Sequence, residues 1–181
     1  MTSKKIVSLL GGLLLSAIPF AAVADDSWMS RPDIVEIRKI YQRVNGGIQN
    51  KSYQKLTKTM PGDQCEGEEE RSVWLDAGGR VVAYRTEGSL EHIHSTETRY
   101  YDHSGAMRFL FAEVDSYHWS YNGVDKGESR TQYRIYLNER GMVVHEDRRV
   151  IKRGNTLLDH TEGFRERLSA DPRALFNETC K

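Results

Sequence analysis

The feature that most constrains the fold is a unit that recurs between Arg71 and Lys152. It reads Trp74-Leu75-Asp76-Ala77-Gly78-Gly79-Arg80-Val81-Val82, then Tyr100-Tyr101-Asp102-His103-Ser104-Gly105-Ala106-Met107-Arg108-Phe109, then Tyr136-Leu137-Asn138-Glu139-Arg140-Gly141-Met142-Val143-Val144. Each copy runs from an aromatic and a bulky residue into Asp or Asn, crosses two variable positions to Gly, and leaves through a second apolar stretch. Asp or Asn opens a turn by bonding the backbone, Gly accepts positive φ, and the flanks alternate, so each copy reads as a β-hairpin.

Period-two alternation extends beyond the turns. Met107, Phe109 and Phe111 alternate with Arg108, Leu110 and Ala112, and Tyr133, Ile135 and Leu137 alternate with Gln132, Arg134 and Tyr136, giving a core side and a mixed side. Ser95-Thr96-Glu97-Thr98 and Asp125-Lys126-Gly127-Glu128 read as polar returns between strands. Ahead of the hairpins, Ile34, Ile37, Ile40, Tyr41, Val44 and Ile48 recur at helical spacing; Ser30 is the expected cap, Pro32 suits the first turn, Asp33 follows, and Gly46-Gly47 marks the expected end. Ser52 to Thr59 reads as a strand or a continuation of that helix. Pro61-Gly62-Asp63 reads as a turn, and Glu66, Glu68, Glu69 and Glu70 as a short acidic loop that lacks the spacing of a Ca²⁺ loop. A short helix is expected near Asp171-Pro172-Arg173-Ala174-Leu175-Phe176. The expected class is α+β, mainly β: an antiparallel meander of about six to eight strands, with the N-terminal helix on one face and a short C-terminal helix.

Residues 1–24 read as a secretory leader rather than as part of the fold. Lys4 and Lys5 precede the apolar run from Ile6 to Phe20, and Ala22-Val23-Ala24 offers an A-x-A cleavage site before Asp25. The run is shorter than the roughly 20 apolar residues that a spanning helix needs, and it contains Gly11, Gly12 and Pro19. No cysteine lies beside the site to take a lipid. The expected organisation is therefore a signal peptide, 1–24, and one globular domain, 25–181, in the periplasm, with secretion as the alternative and no membrane anchor after cleavage. The whole chain balances 26 basic against 26 acidic groups. Losing the leader's two lysines leaves a net charge of about −2, which gives no reason to expect a nucleic-acid partner.

Cys65 and Cys180 are the only cysteines. In an oxidising compartment such a pair becomes a disulfide, and closing a loop of more than about 100 residues contributes on the order of 4–5 kcal/mol in the chain-entropy account.

The candidates for chemistry are few. His92 and His94, two apart on a strand, would share a side and offer two nitrogens to Zn²⁺ or Cu²⁺, with His103, His118 or Glu91 as further ligands; solvated histidines at a strand edge are the simpler alternative. Neither a nucleophile elbow nor a phosphate-binding glycine pattern is present, so no catalytic residue and no cofactor is expected. Tyr84, Tyr101, Tyr117, Trp119 and Tyr121, with Arg85, Arg99, Arg108, Arg130 and Arg134, make the aromatic and arginine mixture used at interfaces. Tyr101, Arg108 and Arg134 are the expected binding residues on an exposed sheet face. The alternative is that tyrosines fill the core while arginines coat the outside, paired with Glu.

Ile34, Ile37 and Tyr41, together with Tyr100-Tyr101-Asp102 and Gly105, carry a resemblance over about two thirds of the mature chain. It is to small exported bacterial proteins in which a helix of the type I-x-x-I-x-x-x-Y precedes repeated Y-Y-F-D-x-G-x-L-type hairpins, a group without an assigned activity. The resemblance implies the same helix-plus-hairpin fold. The expected role is that of a non-enzymatic envelope protein that holds another protein or an envelope component; a metal-binding protein or metal-dependent enzyme at His92 and His94 is the alternative. Thiol titration of the unreduced mature protein should find no free thiol, and two reactive thiols would contradict the Cys65–Cys180 bond.

Overall fold

A computed structural model describes residues 26–60, 67–90, 92–116, 127–154 and 159–179. Seven strands form one antiparallel sheet in chain order: β1 (Gln54–Met60), β2 (Glu68–Leu75), β3 (Val81–Leu90), β4 (Ile93–Tyr101), β5 (Met107–Ser116), β6 (Ser129–Leu137) and β7 (Val143–Lys152). The meander and its strand number are as the hairpin repeats require. A 3₁₀ turn (Asp26–Ser30) leads into helix α1 (Pro32–Gln49), and two short helices follow the sheet, α2 (Thr161–Glu166) and α3 (Pro172–Asn177).

The repeated unit folds the same way in all three copies. Oδ1 of Asp76 accepts from the amides of Gly78 and Arg80, that of Asp102 from Ser104 and Ala106, and that of Asn138 from Arg140 and Met142, every distance being 2.9–3.0 Å. Gly79, Gly105 and Gly141 take φ of 75°, 87° and 74°, the left-handed region that a side chain disfavours. Each copy also carries a β-bulge. Trp74 opposes Ala83 while Leu75 opposes Val81, Tyr100 opposes Phe109 while Tyr101 opposes Met107, and Tyr136 opposes His145 while Leu137 opposes Val143. Val82, Arg108 and Val144 are the extra residues.

These bulges decide which residues share a face. Met107 packs with Leu110 and Ala112 instead of with Phe109, which corrects the simple alternation along β5. Both faces carry a core. Ile34, Ile37, Ile40 and Val44 of α1 lie against Trp74, Val82, Ala83, Tyr100, Phe109 and Tyr136. On the other side Val73, Tyr84, Tyr101, Leu110, Ala112, Val114, Tyr133 and Ile135 pack with Leu175, Phe164 and Phe176 of the C-terminal helices. The second face is thus a full core, not a mixed surface, and α2 is an element that the sequence pattern did not announce.

Several boundaries differ from the sequence expectation. Ser95–Thr98 lies inside β4 and Glu68–Glu70 begins β2, so these polar runs are strands, not loops. The segment after α1 resolves as strand β1, not as more helix. Ser30 bonds the Ser27 carbonyl, Arg31 takes the cap position without a side-chain bond, and the helix continues through Gly46-Gly47. Gly47 serves packing instead: a methyl there would overlap the ring of Tyr53. Pro172 does open α3, where Asp171 accepts from the amides of Arg173 and Ala174. Pro61-Gly62-Asp63 and Glu66 lie outside the described residues.

Ile37 is fully buried at the centre of the α1 contact. Ile37→Ala should lower the unfolding free energy by about 2–5 kcal/mol in urea titrations, whereas Lys39→Ala on the exposed side should stay within about 0.5 kcal/mol.

Candidate functional site

The structure separates the three expected binding residues. Tyr101 is 2% exposed beneath the C-terminal helices, with its hydroxyl unbonded and its pKa driven up by burial. Arg108 is 3% exposed on the α1 side. Only Arg134 of the three reaches a surface hollow, so Tyr101 and Arg108 are corrected from interface to interior. The reason for Arg108 is its bulge: it takes the inward place that Val82 and Val144 hold in the other two copies. A guanidinium there must be compensated. It pairs with Asp102 at 3.2 Å and Glu36 at 3.3 Å and donates to the Leu137 carbonyl at 3.2 Å, tying α1 to the ends of two hairpins.

Two more arginines are buried on the opposite face. Arg99 pairs with Glu97 at 2.5 Å and donates to the carbonyl of Arg167, the residue that ends α2, at 2.6 Å. Arg71 pairs with Glu69 and donates to the carbonyls of Leu175 and Glu178 at 2.7 Å each. Helix C-termini leave carbonyls without intrahelical donors, and these guanidiniums supply them. Arg71 and Arg99 therefore act as anchors for the C-terminal segment. Neither belongs to an external binding face.

His92 and His94 do not form a site together. His92 is exposed in the β3–β4 turn, while His94 on β4 hydrogen-bonds Ser89 Oγ at 3.0 Å through Nδ1 and lies 3.7 Å from Glu87 through Nε2. No group of three His, Cys, Asp or Glu side chains among the described residues is placed to hold a metal ion. His103 sits in the β4–β5 turn at the far end of the strand, and Glu91 and His118 lie outside the described residues, as do Cys65, Cys180, Tyr117, Trp119 and Tyr121. Ser89, His94 and Glu87 superficially form a nucleophile–base–acid chain. All three are solvent-accessible, and Glu87 is held by Arg85 at 2.6 Å, so the chain has neither a dry pocket nor an acid free to orient the base.

The arrangement best suited to holding a ligand lies where α1 ends its cover of the sheet. A crevice of about 290 Å³ opens between α1, β5, β6 and β7. Its floor is aromatic. Phe109 lies 4.8 Å from Tyr136 and 5.5 Å from Tyr41, and Trp28 stacks on His145 at 3.8 Å. Burial lowers the pKa of that imidazole, more than its neighbour Asp147 raises it. Arg38, Arg134 and Arg149 stand around the floor. Arg134 lies over the Phe111 ring at 5.3 Å and faces Asp147 at 3.7 Å, while Arg149 Nε donates to the same carboxylate at 2.7 Å. Arg134 Nη1 is buried and makes no hydrogen bond. Trp28, Arg38 and Arg149 had no motif to announce them. The local signals were only spacings: Arg38 and Tyr41 one turn apart on a helix, Phe109 and Phe111 two apart on a strand.

Elsewhere on this face the charges are matched. Arg85 pairs with Glu87, and Arg130 bonds Asp115 at 2.6 Å with Glu113 and Glu128 nearby. A second hollow, of about 680 Å³, lies on the opposite face beside α2, where Glu69 and Glu97 are already engaged by Arg71 and Arg99.

Asp102 provides a test of the ionic node. Burial raises its carboxyl, but the Ser104 hydroxyl, the Arg108 guanidinium and the amides of Ala106 and Ser104 outweigh burial and hold it below its usual range. A depressed carboxylate stabilises the fold above the unfolded value of about 3.9, and the gain is lost as pH falls through the folded value. Asp102→Asn should therefore lower the urea midpoint at pH 7 and flatten its decline below about pH 4–5 relative to wild type. Among the described residues no helix is long and apolar enough to cross a membrane. No protein-family model matches the chain, and no curated protein and no solved structure matches it either.

Proposed function

We propose that this is a non-enzymatic periplasmic binding protein that holds another protein or an envelope component through the α1-side face of its sheet. The observation that carries this reading is the incomplete cover of that face: α1 rests on the half near the three tight turns, and at its edge an aromatic crevice opens beneath three guanidiniums. The open half of the strands continues from the crevice as a polar platform that includes Arg85, Glu87, Thr96, Glu113, Arg130 and Gln132. The other face is closed over by α2 and α3 across much of its length. A large surface with a small apolar centre and a charged surround has the anatomy of a contact patch. The periplasmic placement rests on the leader-like residues 1–24.

The test is capture of partners from periplasmic extract by the mature protein, read by mass spectrometry. Replacing Arg85 and Arg130 by Glu, both on the open platform, should abolish recovery of the bound component while the protein stays folded by circular dichroism, at a lowered unfolding midpoint because Glu at position 130 stands beside Asp115, Glu113 and Glu128. Recovery that is unaffected by this pair and by Arg149→Glu would remove the face from consideration.

A further inference from the structure

We propose that the crevice beside α1 is a site for a small amphiphilic anion, whose apolar body lies on the aromatic floor and whose carboxylate or phosphate is held by Arg38, Arg134 and Arg149. The inference rests on the reading of this face as a binding surface and specifies its chemistry. Three guanidiniums meet there, and among the described residues Asp147 is the one carboxylate paired to them, so the crevice keeps an excess of positive charge. Arg38 makes no ion pair or hydrogen bond among the described residues. Arg149 commits Nε to Asp147 and leaves its terminal nitrogens open, while Arg134 donates Nη2 to Gln132 Oε1 at 2.6 Å and holds Nη1, without a hydrogen bond, 3.7 Å from Asp147. The open donors are therefore those of Arg38 and Arg149, and an acceptor atom that reaches them makes charge-assisted hydrogen bonds. An anionic oxygen is the acceptor this charge selects, and guanidinium forks suit both carboxylate and phosphate.

The floor defines the rest of the ligand. Phe109 and Tyr136 are almost buried beneath α1, whereas Trp28, Tyr41 and Phe111 keep accessible surface. An apolar chain or ring laid across them removes that surface from water. A cation is repelled, and a neutral polar ligand leaves the charge excess unanswered. A volume of about 290 Å³ admits one acyl chain or one ring system and excludes a folded domain.

The experiment titrates the mature protein with decanoate, decyl phosphate, decanol and inorganic phosphate, below micellar concentrations, following tryptophan fluorescence and binding heat. Decanoate and decyl phosphate should bind saturably with one molecule per chain, and decanol and inorganic phosphate at least tenfold more weakly. The Arg38→Gln, Arg149→Gln double variant should lose at least tenfold in decanoate affinity with little change in its unfolding midpoint, since both side chains are surface groups. Equal binding of decanol would reduce the crevice to an apolar patch, equal binding of inorganic phosphate would reduce it to an anion site, and an absence of saturable binding would overturn the proposal. Sedimentation with phosphatidylglycerol but not phosphatidylcholine vesicles would identify a bilayer lipid as the source of the ligand; decanoate binding without sedimentation would identify a free amphiphile. The Arg85→Glu, Arg130→Glu variant separates the two readings, because neither residue lines the crevice. If it keeps decanoate binding but loses its captured partner, both hold. If wild type captures a partner that the variant loses while decanoate fails to bind, the crevice proposal falls and the contact face stands.

Discussion

An open sheet whose middle strands are apolar on both sides must be covered twice, and the rest of this structure follows from that demand. On β5, Phe109 faces α1 while Leu110 and Ala112, both fully buried, face the C-terminal helices. Antiparallel sheets often leave one face to water. Here that option is closed near the tight turns, where Phe109 and Tyr136 on one face and Leu110 and Ile135 on the other are all buried apolar side chains. One cover is an amphipathic helix of 18 residues that supplies its own isoleucine stripe. The other is built from helices of 6 residues each, too short to be stable alone.

That weak second cover explains the buried arginines. Arg71 and Arg99 stand on the sheet and reach out to the carbonyls that end α2 and α3, so the helices are fastened at the atoms they leave unsatisfied. Burying a guanidinium is costly unless a carboxylate accompanies it, and Glu69 and Glu97, two positions earlier on the same strands, do so. Arg108 does the same for α1 through Asp102 and Glu36. The arginines in the strands therefore divide into two kinds. Some are internal fasteners, and others, among them Arg85, Arg130 and Arg134, stand on the face that remains open.

Much of the fold was legible in the residues because its signals are local. The turn units use hydrogen bonds that span at most four residues, so Asp76, Asp102 and Asn138 declare their geometry in the sequence itself. The isoleucine stripe of α1 and the Asp171-Pro172 start of α3 are legible for the same reason. The bulges are not. A two-against-one pairing adds a residue without changing composition, and at Arg108 it turns an apparently outward charge inward and moves Met107 to the other face. Polarity misleads in the same way at Ser95–Thr98 and Glu68–Glu70, where strand pairing and an adjacent arginine absorb groups that look like loop residues.

The candidate site shows the same boundary between local and global. The choice of Arg134 was available from strand composition, but its companions Trp28, Arg38 and Arg149 come from three other parts of the chain. Alone, the sequence determined the number and chemistry of the turns, the helix that precedes them and the meander that joins them, because each depends on neighbours a few residues apart. Only the tertiary structure decided which arginines are swallowed and which remain open, and where an aromatic floor lies under unsatisfied guanidiniums. The physical reason is that burial and charge balance depend on what crosses overhead, and here that is set by where α1 stops and where the C-terminal segment is fastened.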